Sequence, residues 1–299
     1  MFVNDYQLRY EKYLAIFENY ALKYMEQIHT RPEVLGDSMR YSLLSGGKRI
    51  RPVLALACAE VLGLADEIVL PFALALEMLH TYSLIHDDLP AMDNDDFRRG
   101  KPSNHKVYGE TTALLAGDGL LTAAFERISV WSLAGLYDAE IAVKAIHELS
   151  VYAGARGMIG GQIIDIANEN NPDADYETLQ LMDNLKTGCL ISVACALGCI
   201  VAGASDDLIN SAKVFGENLG LAFQIKDDIL DVTSSLEKLG KMTGSDKENN
   251  KSTYVTLLGI EKCEELVKEL TNEALESLNA FPNNKLIKEY ADYLADREY

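Results

Sequence analysis

From Thr187 to Ser205 the chain runs for 19 residues (TGCLISVACALGCIVAGAS) without a charged side chain. A run of that length belongs either in a membrane or in the middle of a large helical protein. Its Gly, Ala, Ser and Cys content, its charged neighbours Lys186, Asp206 and Asp207, and its lack of aromatic anchors favour a helix enclosed by other helices. No integral membrane span is therefore expected. Helical spacing of apolar residues recurs from Tyr6 to about Ile28, and over Thr111–Leu136, Ala139–Gly154, Tyr176–Leu185, Asp206–Ile229 and Lys262–Leu278. Pro52–Leu62 and Pro71–His86 each open on a proline, which suits a first helical position. No stretch alternates at period two and only 7 of 299 residues are proline, so no sheet is expected. The breaks at Arg98–Ser103 and Asn168–Asp175 are short, Ser234–Lys251 is a longer polar loop, and no linker of domain-separating composition appears. The expected fold class is all-α, a single large helical bundle.

Charge and cysteine content narrow the function. With 27 basic against 46 acidic residues the formal charge is −19, which argues against general nucleic-acid binding. The five cysteines, Cys58, Cys189, Cys195, Cys199 and Cys263, are odd in number and sit among apolar residues, with no spacing suited to zinc. They read as buried thiols of a reducing, cytoplasmic compartment. The opening MFVNDYQLRYEKYLAIFENY carries charges every few residues and lacks the apolar core of a signal peptide.

The chemistry concentrates in two acidic clusters. DDLPAMDNDD brings Asp87, Asp88, Asp93, Asp95 and Asp96 to the end of a long apolar helix that Pro90 terminates. Carboxylates there repel one another and face the negative end of the helix dipole, so a cation relieves them. Carboxylates without His or Cys select a hard ion such as Mg²⁺, which shares its shell with phosphate oxygens. A solvated acidic loop has the same composition, and this cluster alone leaves both open. The second cluster, FQIKDDILDV, sets Asp227 and Asp231 four residues apart on one helical face, beside Asp228 and among apolar neighbours. Acids on a largely buried helix need compensation.

Basic residues stand close by. GGKRIRP places Lys48, Arg49 and Arg51 just ahead of a helix, where glycines and the helix N-terminus favour an anion, although the Walker A spacing is absent. RRGKPS adds Arg98, Arg99 and Lys101 beyond the first acidic cluster, and arginine forks suit phosphate oxygens. Lys186 and Thr187 open the uncharged helix, and Lys241 and Lys251 lie in the polar loop. Each lysine alone reads equally as a solvated surface charge.

In order and spacing, GGKRIRP, LIHDDLPAMD, RRG, GGQIIDI, LKTG, FQIKDDILD and KSTY resemble the trans-isoprenyl diphosphate synthases over nearly the whole chain, and most closely the bacterial farnesyl diphosphate synthases. The resemblance implies a bundle around a central cavity of the isoprenoid synthase type, and one polyprenyl synthase domain spanning residues 1–299. It implies that the two aspartate motifs face each other and hold three Mg²⁺ ions on an allylic diphosphate. Asp87, Asp88 and Asp93 would be first-motif ligands, and Asp227, with Asp228 and Asp231 in support, second-motif ligands. Lys48, Arg51, His80 and Arg99 would hold isopentenyl diphosphate. Arg98, Lys186, Thr187, Gln224, Lys241 and Lys251 would surround the allylic diphosphate, and Gln162 and Asp165 would line the same cavity. Within that set Lys186, Thr187 and Gln224 would also offer dipoles to the allylic cation. Asn94 departs from the pattern, where bacterial relatives often carry another aspartate. A homodimer is implied by the same resemblance.

The reaction so implied joins isopentenyl diphosphate head-to-tail to dimethylallyl or geranyl diphosphate, by Mg-assisted ionisation and loss of a proton. Ser83 and Tyr82 lie four and five residues before Asp87, so Tyr82 sits roughly 7 Å down the helix at about 1.5 Å per residue. As a floor for the growing tail it favours a C15 product, farnesyl diphosphate. A geranylgeranyl diphosphate synthase shares nearly every motif. A non-catalytic subunit would be expected to lose metal ligands, and a class I terpene cyclase would lack the second motif and the isopentenyl-type basic groups.

Overall fold

The computed structural model describes residues 5–168, 171, 174–237 and 252–296. The chain forms two compact units, the first running to His147 and including Ile200–Gly203, the second holding Glu148–Cys199 and the chain from Ala204 onward.

The first unit contains α1 (Asp5–Gln27), α2 (Glu33–Leu43), α3 (Ile50–Val61), α4 (Asp66–Asp87), a hairpin of β1 (Phe97–Arg98) and β2 (Lys101–Pro102), α5 (Asn104–Tyr108), α6 (Glu110–Leu133) and the start of α7 (Ala139–Ala153). Helix α4 is its axis and packs on α3 and α6. Val69 to Leu79 are buried without interruption and all but Glu77 are apolar, as suits a helix enclosed on every side. The second unit contains the rest of α7, α8 (Met158–Asn168), α9 (Tyr176–Asp183), a π-helical turn (Asn184–Gly188), most of α10 (Cys189–Val201), α11 (Asp206–Glu237), α12 (Tyr254–Leu258), α13 (Ile260–Ser277), a 3₁₀ turn (Leu278–Ala280) and α14 (Lys285–Asp296). Helix α11 packs lengthwise on α13, burying Leu221, Ile225 and Ile229 against Tyr254, Cys263 and Val267.

The all-α expectation holds, with differences at several helix ends, in the shorter helices and at one hairpin. Helix α4 begins at Asp66, five residues before the expected proline start, so Pro71 lies inside the helix. An interior proline costs about 3 kcal/mol, and burying Val69, Leu70 and Phe72 at about 1.5–3 kcal/mol each offsets it. Helix α3 likewise starts at Ile50, two residues before Pro52, and α11 runs on to Glu237. Helices α2, α8 and α14 have short or strongly polar stripes and lie outside the helical stretches expected from the sequence. The segment expected as a loop at Arg98–Ser103 opens as a two-stranded hairpin, too short to leave a period-two signal. Arg99 and Gly100 form its turn with φ of 53° and 74°, the left-handed pair that tight hairpins use.

Two helical stretches, Asp66–Asp87 and Tyr176–Val201, have the length and composition to cross a bilayer, but 78% and 72% of their apolar windows are buried against protein. Core packing accounts for their apolarity. None of the five cysteines forms a disulfide among the described residues, and four are buried.

Candidate active site

In the first unit the site is built where α4 ends. After Asp87 the chain leaves the helix through a series of hydrogen-bonded turns. The N–H of Leu89 donates to the His86 carbonyl, that of Asp93 to the Asp87 carbonyl at 2.9 Å, and that of Asn94 to the Leu89 carbonyl. This extra coil brings Asp93 beside Asp87. Asn94 closes it with φ of 54°, a left-handed conformation that asparagine tolerates better than most residues. Asp88 turns inward instead: it is 2% exposed and accepts from Arg98 Nε at 2.8 Å and from Arg98 Nη2. Burial raises its pKa against the pull of Arg98, and Arg98 also reaches Asp95 at 3.1 Å.

The anion-binding candidates gather around Glu77 and His80, about two to three turns before Asp87 on α4. Arg99 donates to the Gly46 carbonyl and, at 3.4 Å, to Ser45 Oγ. Among the described residues the buried Nε of Arg51 has no hydrogen-bond partner. Desolvation, with Arg99 adding to it, lowers the Arg51 pKa to about 10 although Glu77 opposes the shift. His80, desolvated and beside Arg51 and Arg99, is pushed well below 6.5 and is neutral at pH 7. Three guanidinium groups (Arg49, Arg51 and Arg99) thus face two carboxylates, the fully buried Glu77 and the half-buried Glu18. Unbalanced positive charge and an orphan donor are what a buried anion would satisfy.

Tyr82 is buried; its hydroxyl has no partner among the described residues, and its ring meets His86 edge-on at 5.6 Å. Burial pushes its pKa to about 12. The Ser83 hydroxyl donates back to the His80 carbonyl at 2.9 Å.

In the second unit a cavity of about 180 Å³ is lined by Asp165, Asp183, Lys186, Thr187, Gln224 and Asp228, among others. Lys186 and Thr187 ride on the π-helical turn, a geometry often found at functional sites and invisible to helical periodicity. The turn lies tight against α8, because a Cβ on Gly161 would stand 2.3 Å from the Lys186 nitrogen. That approach sets the Lys186 ammonium on the Asp165 carboxylate. Thr187 Oγ1 donates to Gln224 Oε1 at 3.4 Å, and the N–H of Tyr254 donates to Asp228 Oδ2 at 2.9 Å. Asp227 is half-buried and Asp231 exposed on the same helix, and Gln162 is half-buried on α8.

The sequence does not single out Asp183. It is 6% exposed, and burial, reinforced by Asp228 and Asp165, drives its pKa up to about 7. Its position three residues before Lys186 is the only signal the sequence offers. Lys241 and Lys251 fall outside the described residues.

Among the described residues no three His, Cys, Asp or Glu side chains form a ready-made metal cage. Mg²⁺ does not need one: it takes one or two carboxylates and completes its octahedron with water and substrate phosphate. Asp87 with Asp93, and the acids of α11, are donors of that chemistry. The burial that raises Asp183, reinforced by its acidic neighbours, disfavours the ionised carboxylate, and a cation or basic group beside it would favour it.

A family model described as polyprenyl synthetase matches residues 32–294. The chain is 47% identical over 269 residues to a chloroplastic geranylgeranyl pyrophosphate synthase of Capsicum annuum, covering 89% of this chain and 72% of that protein. It is 46% identical over 267 residues to a geranylgeranyl diphosphate synthase of Cyanophora paradoxa, covering 89% and 88% of the two. Among solved structures, an FPP/GFPP synthase from Zymomonas mobilis superposes with a TM-score of 0.85 at 31% identity, over 97% of this chain and 99% of that one.

Proposed function

The chain belongs to the polyprenyl synthetase family, as a trans-prenyl diphosphate synthase, and from that premise we propose that it is an active short-chain enzyme condensing isopentenyl diphosphate with an allylic diphosphate in the presence of Mg²⁺. The observation that carries this reading is the coil that sets Asp93 beside Asp87 directly ahead of the Arg98–Arg99 hairpin. A non-catalytic subunit would have no use for both acidic clusters and a buried, charge-unbalanced arginine group together.

In this reading Lys48, Arg51, His80 and Arg99 hold the diphosphate of isopentenyl diphosphate. A neutral His80 offers one N–H donor there without adding charge. Asp87, Asp88, Asp93, Asp227, Asp228 and Asp231 serve the allylic diphosphate, with Arg98, Lys241 and Lys251. Bound Mg²⁺ supplies positive charge to the departing diphosphate. Lys186 is held by Asp165 with its ammonium at the cavity wall, so its charge is already oriented when diphosphate arrives. Thr187 and Gln224 present oxygen dipoles to the same cavity and can stabilise positive charge that develops there. Gln162 stands on the helix that carries Asp165. A homodimer is proposed on the family's ground.

The product is read first as geranylgeranyl diphosphate, C20, because relatives at 46–47% identity carry that name. This ranks above the C15 product expected from the sequence. The second reading, farnesyl diphosphate, rests on Tyr82, a bulky buried side chain five residues before Asp87. Purified protein supplied with Mg²⁺, isopentenyl diphosphate and, in turn, dimethylallyl, geranyl or farnesyl diphosphate decides both points by product mass. A C20 product from farnesyl diphosphate supports the first reading, and elongation that stops at C15 supports the second. No condensation with any of the three refutes the enzyme.

A further inference from the structure

The basic residues of GGKRIRP divide between two tasks. Lys48 is exposed, and its carbonyl accepts from Tyr10 Oη at 2.7 Å. Arg51 is turned inward with an orphan Nε. Arg49 does neither. Its guanidinium is fully enclosed and every nitrogen is engaged: Nε with Glu18 at 2.8 Å, Nη1 with Glu77 at 2.7 Å, and Nη2 with the Leu43 carbonyl at 2.6 Å. It also lies over the Phe17 ring, 5.6 Å from its centroid. Nothing of Arg49 is left for a ligand, although the sequence makes it look equivalent to its neighbours.

Its backbone carries a cost. Arg49 has φ of 45°, and a left-handed conformation at a residue with a Cβ costs about 1–2 kcal/mol. Such a conformation persists where its surroundings over-determine it, here through three anchors on α1, α4 and the end of α2. The loop so held is what Arg99 rests on. The Gly46 carbonyl accepts from Arg99, and a Cβ on Gly47 would stand 2.7 Å from Arg99 Cζ, so the guanidinium lies flat against a bare α-carbon. Glu77 is 3.9 Å from Arg99 Nη2 on the far side.

We propose that Arg49 is the positioning residue of the isopentenyl diphosphate subsite: its three-point anchor fixes the Gly46–Arg51 loop and thereby aims Arg99, Arg51 and Lys48 at the diphosphate. The inference rests on the reading that these three residues bind that substrate. Lysine cannot replace Arg49, because one ammonium does not span three acceptors fixed by a planar fork.

The test is Arg49→Lys, which keeps the charge facing Glu77, and Glu18→Ala, which removes one anchor from outside the subsite. Isopentenyl diphosphate affinity is measured by calorimetry, the Michaelis constants of both substrates by steady-state kinetics, and melting temperature alongside. Arg49→Lys should weaken isopentenyl diphosphate binding about tenfold or more, the loss of one well-aimed charged hydrogen bond, with the geranyl diphosphate KM within about twofold. Glu18→Ala should move the same constant in the same direction by a smaller factor. Unchanged isopentenyl diphosphate affinity in both variants overturns the proposal. So does an equal rise in both Michaelis constants that tracks the melting temperature, since that marks a structural role alone. Wild-type protein that fails to bind isopentenyl diphosphate sinks the functional reading instead.

Discussion

Asp183 allows the cavity of the second unit to be tested without substrate. Its carboxyl stands among Asp228, Asp165 and Lys186, almost out of solvent, and its pKa rises from 3.8 to about 7. A raised acid pKa means that the folded chain holds this proton more tightly than the unfolded chain does. The stability it contributes is therefore complete below about pH 4 and is lost as pH rises through about 7. The shift of about 3 units, at 1.36 kcal/mol each, corresponds to about 4 kcal/mol between those limits. Asp183→Asn keeps the shape and removes the titration. In urea unfolding with a metal chelator, the stability of the variant relative to wild type should grow by about 3 kcal/mol from pH 5 to pH 8. Stability curves that run parallel over that range would show that Asp183 ionises as easily folded as unfolded, and the argument that this cavity holds more buried acid than Lys186 and Tyr254 compensate would fail.

Tyr82→Ala should lengthen the product by at least one isoprene unit if the ring is the floor of the tail's path; an unchanged product mass spectrum removes Tyr82 from that role. Gly161→Ala must push backbone against backbone at Lys186, so it should destabilise by about 1–3 kcal/mol and lower kcat, both read on the same preparation. Asp87→Ala and Asp227→Ala should each cut kcat about a hundredfold or more, the scale seen when charge stabilisation of a leaving group is removed, with circular dichroism showing the helices retained. An Asp227→Ala variant with full turnover would exclude the second acidic cluster from the reaction.

What can be read from the sequence follows the range of the interactions. Helix α4 and the uncharged helix α10 are legible because total burial leaves a composition that no surface helix tolerates. Their ends are not: Pro71 reads as a start signal, and only the burial of Val69 and Leu70 shows that the helix overruns it. The acidic clusters are visible as residues, but their orientation depends on contacts distant in sequence. Asp87 and Asp88 are neighbours in DDLPAMD, yet one sits beside Asp93 and the other is clamped by Arg98 from the hairpin. The same holds for Lys48, Arg49 and Arg51, whose separation follows from one left-handed residue, from the nearby Leu43 carbonyl, and from Glu18 and Glu77, which are distant in the chain. The Asp183 cavity is least legible, since a π-helical turn shifts Lys186 and Thr187 off the periodicity by which a helix face is read. Residue types therefore announce the chemistry, while the division of labour between ligand and support is decided by burial. A charged side chain with all its donors satisfied inside the protein is a support, and one left buried with a donor unspent, as Arg51 is, is the group a substrate anion completes.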